Sequence, residues 1–356
     1  MLQKLYIYIG TGKTGTTSLQ SFFEEYSHLA SSLSYWGINL EKCLGDNNSD
    51  CCYRWQIKEG ISVIQESDPE VFNNQLLVAL NSSYKDEVND YAIWINESIF
   101  HMKEYFMKPI YAFSMQNKVD IQIIGSARDY PSYLYSAYQQ WGVKHKTYKG
   151  PIQGFQQWCN NAKEFLQYHK YFAEWEHAFP GKLTVINFSK SKNIVQSVLQ
   201  LLPNHIVKNL YPFLSQNKIS NTQNNIIRHL IFSILNNRFH EEILPTDSES
   251  FINQYPLLSD DTKFIPFSFS KTLPSDLSNE SLMAAYTEEI TAVNRLLKTS
   301  GEPPLSSEYK GNVSLSEEEC TQMLINAIFS ILYHQSEEIK NLRKKLEEKS
   351  KWPFLS

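Results

Sequence analysis

The sequence predicts an α/β protein in which a parallel β-sheet is flanked by helices and followed by a helical C-terminal extension. Two observations predict this fold class. Short apolar runs typical of buried strands alternate, over roughly the first 190 residues, with longer stretches of helical periodicity. The first strand also runs directly into a loop of small residues that opens a helix, which is the strand–loop–helix unit of phosphate-binding α/β folds.

The first strand covers Leu5 to Ile9, and helical periodicity begins at Ser18. The loop between them contains "GTGKTGTTS". Its backbone N–H groups and the positive end of the following helix favour an anion, most often a phosphate. We therefore expect a run of seven residues to bind an anion, namely Gly12, Lys13, Thr14, Gly15, Thr16, Thr17 and Ser18.

The loop contains the G-K-[ST] ending of a nucleotide P-loop, but its spacing excludes that motif. The pattern G-x-x-x-x-G-K-[ST] requires a glycine at position 7, where this chain has Ile7 inside the strand. The shorter loop has room for one phosphate. An ordinary capped helix start would leave Lys13 unexplained, because a cation at the positive end of a helix costs roughly a few tenths of a kcal/mol.

Further elements follow along the chain, each predicted from its apolar periodicity. They are a helix at Pro69 to Tyr84, a strand and polar turn at Asp90 to Phe100, a strand at Val119 onward with a loop at Ser126 to Tyr130 and a helix to Trp141, a helix at Phe165 to Phe179, and a strand at Lys182 to Phe188. In a parallel sheet the strands' carboxyl ends share one edge, where ligands bind. This edge should bring Lys13, Glu97 and Arg128 together.

The composition is that of an ordinary globular protein, with 356 residues, 42% of them hydrophobic, and a net charge of −5. The negative balance argues against nucleic-acid binding, so cations for an anionic ligand must be concentrated locally. Met1 stands almost directly before the first strand, and no stretch has 18 uninterrupted apolar residues, so we expect a cytoplasmic protein without a membrane span. Reduced thiols are the expectation for the cysteines, with zinc as a weak alternative at Cys43, Cys51 and Cys52.

Two stretches together carry a family resemblance. The loop "GTGKTGTTS" and the later "IIGSARDYPSYLYSAY" resemble the sulfotransferases that use 3′-phosphoadenosine 5′-phosphosulfate (PAPS), most closely bacterial members with K-T-G-T-T-S. The resemblance spans about Leu5 to Phe188 and implies a P-loop-like fold. It implies that the first loop binds the 5′-phosphosulfate and that Arg128 and Ser136 bind the 3′-phosphate. The R-K-G segment of many members is not found; "YKG" occurs at Tyr148 and Tyr309 instead.

Sulfuryl transfer needs a base for the acceptor hydroxyl and a cation near the leaving phosphate oxygen. Lys13 fits the cation. Glu97 stands where the family places a His or Glu base, and a helix-entry carboxylate or a partner for Arg128 is the alternative for it. His101 is the second candidate base. The resemblance implies PAPS as co-substrate and no metal requirement.

The resemblance implies a hydroxyl (or amine) acceptor, with a carbohydrate or glycolipid expected. The aromatic-rich composition would suit a cleft that stacks sugar or aromatic rings. Lys144, His145, Lys146 and Lys149 could contact an anionic glycan or form a solvated loop. Two other functions stay open at this point. One is a nucleotide-dependent phosphotransferase with a non-Walker loop, and the other is a nucleotide-binding module without catalysis.

We expect residues 1–300 to form the catalytic domain, with a PAPS-binding core at 1–190 and a helical or lid region at 191–300. Residues 301–356 are expected to form a C-terminal helical segment. There, apolar residues recur in the steps of three and four that are typical of a coiled coil, with one polar member, at Ile325, Ile328, Leu332, Gln335, Ile339, Leu342 and Leu346. The segment either pairs two chains into a homodimer or packs partly on its own catalytic domain.

Overall fold

The computed structural model describes residues 2–12, 14–38, 40, 68–138, 141–142, 153, 155–191, 193–216, 283–306, 332, 336–337 and 339–346. Several sequence expectations lie outside these residues. They concern Lys13, Cys43, Cys51, Cys52, the basic residues at 144–149 and most of the C-terminal apolar series. The described residues belong to two compact units, which are considered separately.

The first unit joins Met1–Tyr133, Lys163–Asn221 and Glu280–Glu308, and it contains a sheet of five parallel strands. The strands are β1 (Lys4–Tyr8), β2 (Leu33–Tyr35), β3 (Tyr91–Ile95), β4 (Asp120–Ala127) and β5 (Leu183–Asn187). The order across the sheet is β2-β3-β1-β4-β5. The general fold class predicted from the sequence, α/β with a parallel sheet flanked by helices, is therefore confirmed.

The helices are α1 (Thr16–Tyr26), α2 (Pro69–Lys85), α3 (Lys103–Asn117), α4 (Tyr130–Ala137), α5 (Phe155–Asn161), α6 (Lys163–Leu166), α7 (His169–Ala178), α8 (Ile194–Leu199), α9 (Asn204–Leu210) and α10 (Thr287–Thr299). Helical turns of the 3₁₀ type cover Ser27–Leu29, Glu97–Phe100 and Tyr211–Gln216. Among the described helices, none is both long and apolar enough to cross a lipid bilayer.

The strand register brings three loops to one edge of the sheet. Tyr8, at the end of β1, lies opposite Ile95 of β3 on one side and Ile124 of β4 on the other. All three strands run in the same direction, so the residues that follow them leave the sheet at its carboxyl edge. The strand register therefore confirms that the loops after β1, β3 and β4 leave the sheet at the same edge.

Helices cover both faces of the sheet. Side chains of one face, including Tyr8 and Ile124, pack in a buried cluster with α1, α8 and α9. On the other face, the Trp94 ring lies 6.1 Å from that of Phe106 in α3. At Gly125 a Cβ would lie 2.4 Å from the Phe172 ring, so only glycine lets α7 approach this closely.

Residues 300–306 cover the outer edge of β5. Ser300 Oγ accepts a hydrogen bond from the Val185 N–H at 2.9 Å, and the Glu302 carboxylate accepts one from the Asn187 N–H at 3.3 Å. The buried Asn187 amide donates in turn to the carbonyl of Pro303 at 2.8 Å. These contacts satisfy backbone groups that an open edge strand would present to other chains.

Several element boundaries differ from those predicted, and two of the differences have a clear structural cause. The sequence predicted a loop from Ser126, but β4 continues to Ala127 because Ser126 and Ala127 pair with β5. The single helix predicted at Phe165–Phe179 is divided into α6 and α7 around Tyr168. Tyr168 is fully buried and its hydroxyl donates to the Arg128 carbonyl, while Glu289 of α10 accepts the His169 N–H at the start of α7.

The second unit joins Leu134–Ala162, Thr222–Asn279 and Tyr309–Ser356. In its described part the Tyr138 ring packs against Phe155 of α5 at 5.4 Å, and the Tyr138 hydroxyl donates to the Gln153 carbonyl at 2.8 Å. Cys159 of α5 is buried, and burial raises the pKa of its thiol to about 12. This cysteine is therefore an unreactive thiol at neutral pH.

Candidate functional site

The first loop is attached to β4 by a chain of buried hydrogen bonds. Ser126 Oγ donates to Thr14 Oγ1 at 2.6 Å, and Thr14 donates to the Thr11 carbonyl at 2.5 Å. Thr11 in turn donates to the Ser126 carbonyl at 3.0 Å. Because the Ser126 hydroxyl already donates to Thr14, it accepts the hydrogen bond from the Tyr8 hydroxyl, at 2.7 Å.

This arrangement places Thr14 differently from its neighbours in the predicted anion-binding run. Thr14 is fully buried, and its hydroxyl is engaged with Ser126 and Thr11. The Thr14 side chain therefore stabilises the loop. An anion bound there would have to accept a hydrogen bond from the Thr14 backbone N–H. Burial raises the pKa of the Tyr8 phenol to about 12, which keeps this hydroxyl a neutral hydrogen-bond donor.

Gly15 starts α1 in a left-handed conformation, with φ 80° and ψ 19°. A Cβ there would lie 2.8 Å from Ile194 Cγ2 and 3.1 Å from Phe188 Cε2. Both the left-handed backbone and the close packing therefore require glycine. The glycine offers no side-chain cap to the N–H groups of α1, and no acidic residue lies in the first turn. This end of the helix is therefore suited to an anion.

The remaining residues of the predicted run lie at this helix end. Gly12 is buried, Ser18 is half-buried and Thr17 is exposed. Thr16 Oγ1 is buried and makes no hydrogen bond of ordinary geometry to any described residue. Lys13 lies outside the described residues, so the structure leaves its role as a prediction.

Phe188, directly after β5, connects the two sequence motifs. Its ring is close to the Cα of Gly15, and the Arg128 guanidinium carbon lies 5.6 Å from the ring centre. Arg128 is half-buried immediately after β4, and its carbonyl accepts the Tyr168 hydroxyl. The first loop and Arg128 thus share a contact at the carboxyl edge. Ser136 is half-buried in α4 and belongs to the second compact unit.

Glu97 opens the 3₁₀ turn that follows β3, and its side chain is exposed. The buried Asn96 before it accepts a hydrogen bond from the Ser98 N–H at 2.9 Å and donates to the Ile38 carbonyl at 3.0 Å. These bonds fix the turn. The negative charge of Glu97 makes a small contribution to the raised pKa of Tyr8, at the end of β1.

His101 lies in an aromatic environment four residues beyond Glu97. Its ring stacks on Phe165 at 4.4 Å and contacts Tyr171 edge-on at 4.7 Å. Both ring nitrogens are buried and have no hydrogen-bond partner in the described part of the chain. Burial, with a smaller contribution from the charge of Lys170, lowers the pKa of His101 to about 3. The imidazole is neutral at pH 7, and neither nitrogen reaches solvent in this conformation.

Tyr8, Ser126 and Phe188 were not singled out as site residues from the sequence. Tyr8 and Ser126 lie in strands that read as apolar runs. The only signal of a buried hydrogen bond was that each of them carries a hydroxyl group. Phe188 ends a strand and looks like any core aromatic residue. Within the part of the chain that the structure describes, no group of three or more His, Cys, Asp or Glu residues could hold a metal ion.

No protein-family model matches the chain, and no curated protein is significantly similar to it in sequence.

The close approach around Gly15 can be tested with a matched pair of substitutions. Gly181 also has a left-handed φ, of 69°, but no atom lies within 4 Å of a Cβ built there. Gly181→Ala should lower the free energy of unfolding by roughly 1–2 kcal/mol through backbone strain alone. Gly15→Ala should cost about 1–3 kcal/mol more, because its methyl group also meets Ile194 and Phe188. Urea denaturation measures both, and equal losses would contradict the close approach.

The burial of His101 predicts a specific pH dependence. Its pKa is lowered from 6.5 to about 3 in the folded protein, so below pH 6.5 the unfolded chain binds a proton that the folded chain does not. The free energy of unfolding should therefore fall as pH drops from about 6.5 to about 3, by at most ~1.4 kcal/mol per pH unit from this residue. His101→Phe should remove this component of the slope while keeping the ring stack.

The control is His177→Phe at an exposed position of α7. Chemical denaturation at several pH values compares the three proteins. A His101→Phe protein with the same slope as the parent would show that His101 is not held neutral by the fold.

Proposed function

We propose that the protein is a PAPS-dependent sulfotransferase with the P-loop-like fold of that family. The observation that supports this most is the connection between the two motifs that carry the resemblance. Thr14 of the first loop is hydrogen-bonded to Ser126 of β4, and Phe188 contacts both Gly15 and Arg128. Contacts of this kind would hold two phosphate-binding loops at a fixed separation, which preorganises them for one nucleotide.

The residues present fit the donor substrate. The N–H groups at the start of α1, with Gly15 and the hydroxyls of Thr17 and Ser18, would hold the 5′-phosphosulfate. Lys13 would supply positive charge there. Arg128 can donate two parallel N–H groups to the 3′-phosphate. The assignment of the Ser136 hydroxyl to the same phosphate stays a prediction from the sequence.

The proposed reaction transfers a sulfuryl group directly to the acceptor. A bond forms between the acceptor oxygen and sulfur, and the bond between sulfur and the bridging oxygen of the 5′-phosphate breaks. Glu97 takes the proton of the acceptor hydroxyl, and the released bond electrons remain on the phosphate of adenosine 3′,5′-bisphosphate, near Lys13. Its exposed carboxylate makes Glu97 a better base than His101, whose nitrogens are enclosed.

The acceptor that this site supports best is a hydroxyl compound with a ring, such as a carbohydrate or glycolipid. Phe165 is 37% exposed and its ring stacks on His101, which follows Glu97 by four residues, so part of an aromatic ring lies at the surface there. Sugar rings and aromatic rings both pack on such surfaces.

The first test of the proposal is selective binding of adenosine 3′,5′-bisphosphate. At a ligand concentration of about 100 Kd it should stabilise the protein by ~2.7 kcal/mol, measured by thermal unfolding. ATP, with or without Mg²⁺, should give a much smaller shift because it lacks a 3′-phosphate. Arg128→Ala should reduce the bisphosphate shift, whereas Arg295→Ala at an exposed position of α10 should not.

A shift with ATP and Mg²⁺ that equals the bisphosphate shift would favour a phosphotransferase instead. Bisphosphate binding without sulfuryl transfer to any acceptor would favour a module that binds nucleotide without catalysis.

The second test concerns the base. Glu97→Gln should keep bisphosphate binding and lower the transfer rate by about 10²–10⁴-fold, because the amide has the same shape but cannot take a proton. Transfer is measured with ³⁵S-labelled PAPS and pools of saccharide acceptors. Glu104→Gln, an exposed carboxylate in α3, is the matched control and should transfer normally. A Glu97→Gln protein of unchanged activity would assign the base to another group.

A further inference from the structure

The helical segment at residues 339–346 is exposed along its whole length. Its apolar residues Ile339, Leu342 and Leu346 are 51%, 53% and 67% exposed, and Leu332, a helical residue that precedes it, is 55% exposed. Large aliphatic side chains at this exposure are not covered by any described residue. Most of the stability of a helix in a protein comes from packing of its apolar face.

The sequence spacing of the four apolar residues is that of one stripe of a helix. From Leu332 the spacings are seven to Ile339, three to Leu342 and four to Leu346. This is the a, a, d, a pattern of a heptad repeat, and such a stripe is buried when two helices pair. Most residues off the stripe are charged, and Lys340 pairs with Glu337 at 2.6 Å along the same helix. That pair occupies the b and f positions, which face away from a partner helix.

We propose that this stripe binds the same stripe of a second copy of the chain, in a parallel two-stranded coiled coil. The charges at the flanking positions favour this partner. Arg343 occupies an e position, and by sequence Glu338, which lies outside the described residues, occupies the preceding g position. In a parallel pair, g of one chain lies next to the following e of the other, so Glu338 meets Arg343 twice in each dimer.

An antiparallel pair would not bring Glu338 and Arg343 together. In that orientation g positions face g positions and e positions face e positions, so Glu338 would face Glu338 or Lys345 of the other chain, depending on the register. The attraction between Glu338 and Arg343 is therefore specific to the parallel orientation.

The test uses the full chain and its mass in solution. Light scattering after size-exclusion chromatography should give about twice the chain mass of 41.4 kDa. Leu342→Lys places an unpaired charge at a d position and should weaken the dimer by at least about 100-fold in Kd, giving a monomer at low micromolar concentration. Asn341→Lys adds the same charge one residue away, at a c position that faces solvent, and should remain a dimer.

A charge exchange tests the orientation. Glu338→Arg should weaken the dimer, because two arginines then meet at each g–e contact. Adding Arg343→Glu in the same chain should restore the affinity in a parallel pair. It would have no such effect in an antiparallel pair, where positions 338 and 343 of the two chains are not in contact.

Three results would overturn the proposal: a monomeric parent protein at high micromolar concentration, a Leu342→Lys protein that stays dimeric, or a double charge exchange that fails to recover the dimer. Thermal shifts with adenosine 3′,5′-bisphosphate should be equal for the parent and Leu342→Lys. This readout keeps the dimer proposal separate from the proposed function.

Discussion

The hydrogen bond from Ser126 to Thr14 is the contact on which the organisation of the candidate site depends. Both hydroxyls are fully buried, and a buried hydroxyl without a partner costs roughly 1–3 kcal/mol, so the loop conformations that leave them unpaired are disfavoured. The bond joins residues 112 positions apart in the chain. It fixes where the first loop lies against β4, and Gly15 then has to turn into α1 with a left-handed backbone between Phe188 and Ile194.

The parallel sheet places the loop that this bond fixes beside the loops that follow the two neighbouring strands. Because β1 lies between β3 and β4, residues that follow any of these strands emerge within two strand spacings of one another, about 10 Å. Glu97 and Arg128 are therefore positioned by strand order and by short turns, and neither depends on a long loop. Asn96 and Tyr168 complete this positioning, since the first fixes the turn that carries Glu97 and the second fixes the carbonyl of Arg128.

Strands that are buried on both faces read as continuous apolar runs, which is why β1, β3, β4 and β5 could be predicted from the sequence. The three-residue β2 is too short to leave such a signal. The roles of individual hydroxyls could not be predicted, because four threonines in one loop look alike until a distant partner such as Ser126 selects among them. The division of the helix at Tyr168 depends likewise on Glu289, 120 residues from the His169 N–H it accepts.

The cover on β5 has a consequence for biosynthesis. Ser300 and Glu302 bond to N–H groups of β5 that precede them by 115 residues. At a translation rate of about 5–20 residues per second, the ribosome needs roughly 6–23 s to make that intervening stretch. During this interval the nascent sheet has an unpaired outer strand, which is the kind of surface that chaperones recognise and that aggregates at high expression. Slower synthesis of the intervening stretch would prolong the exposure of that strand.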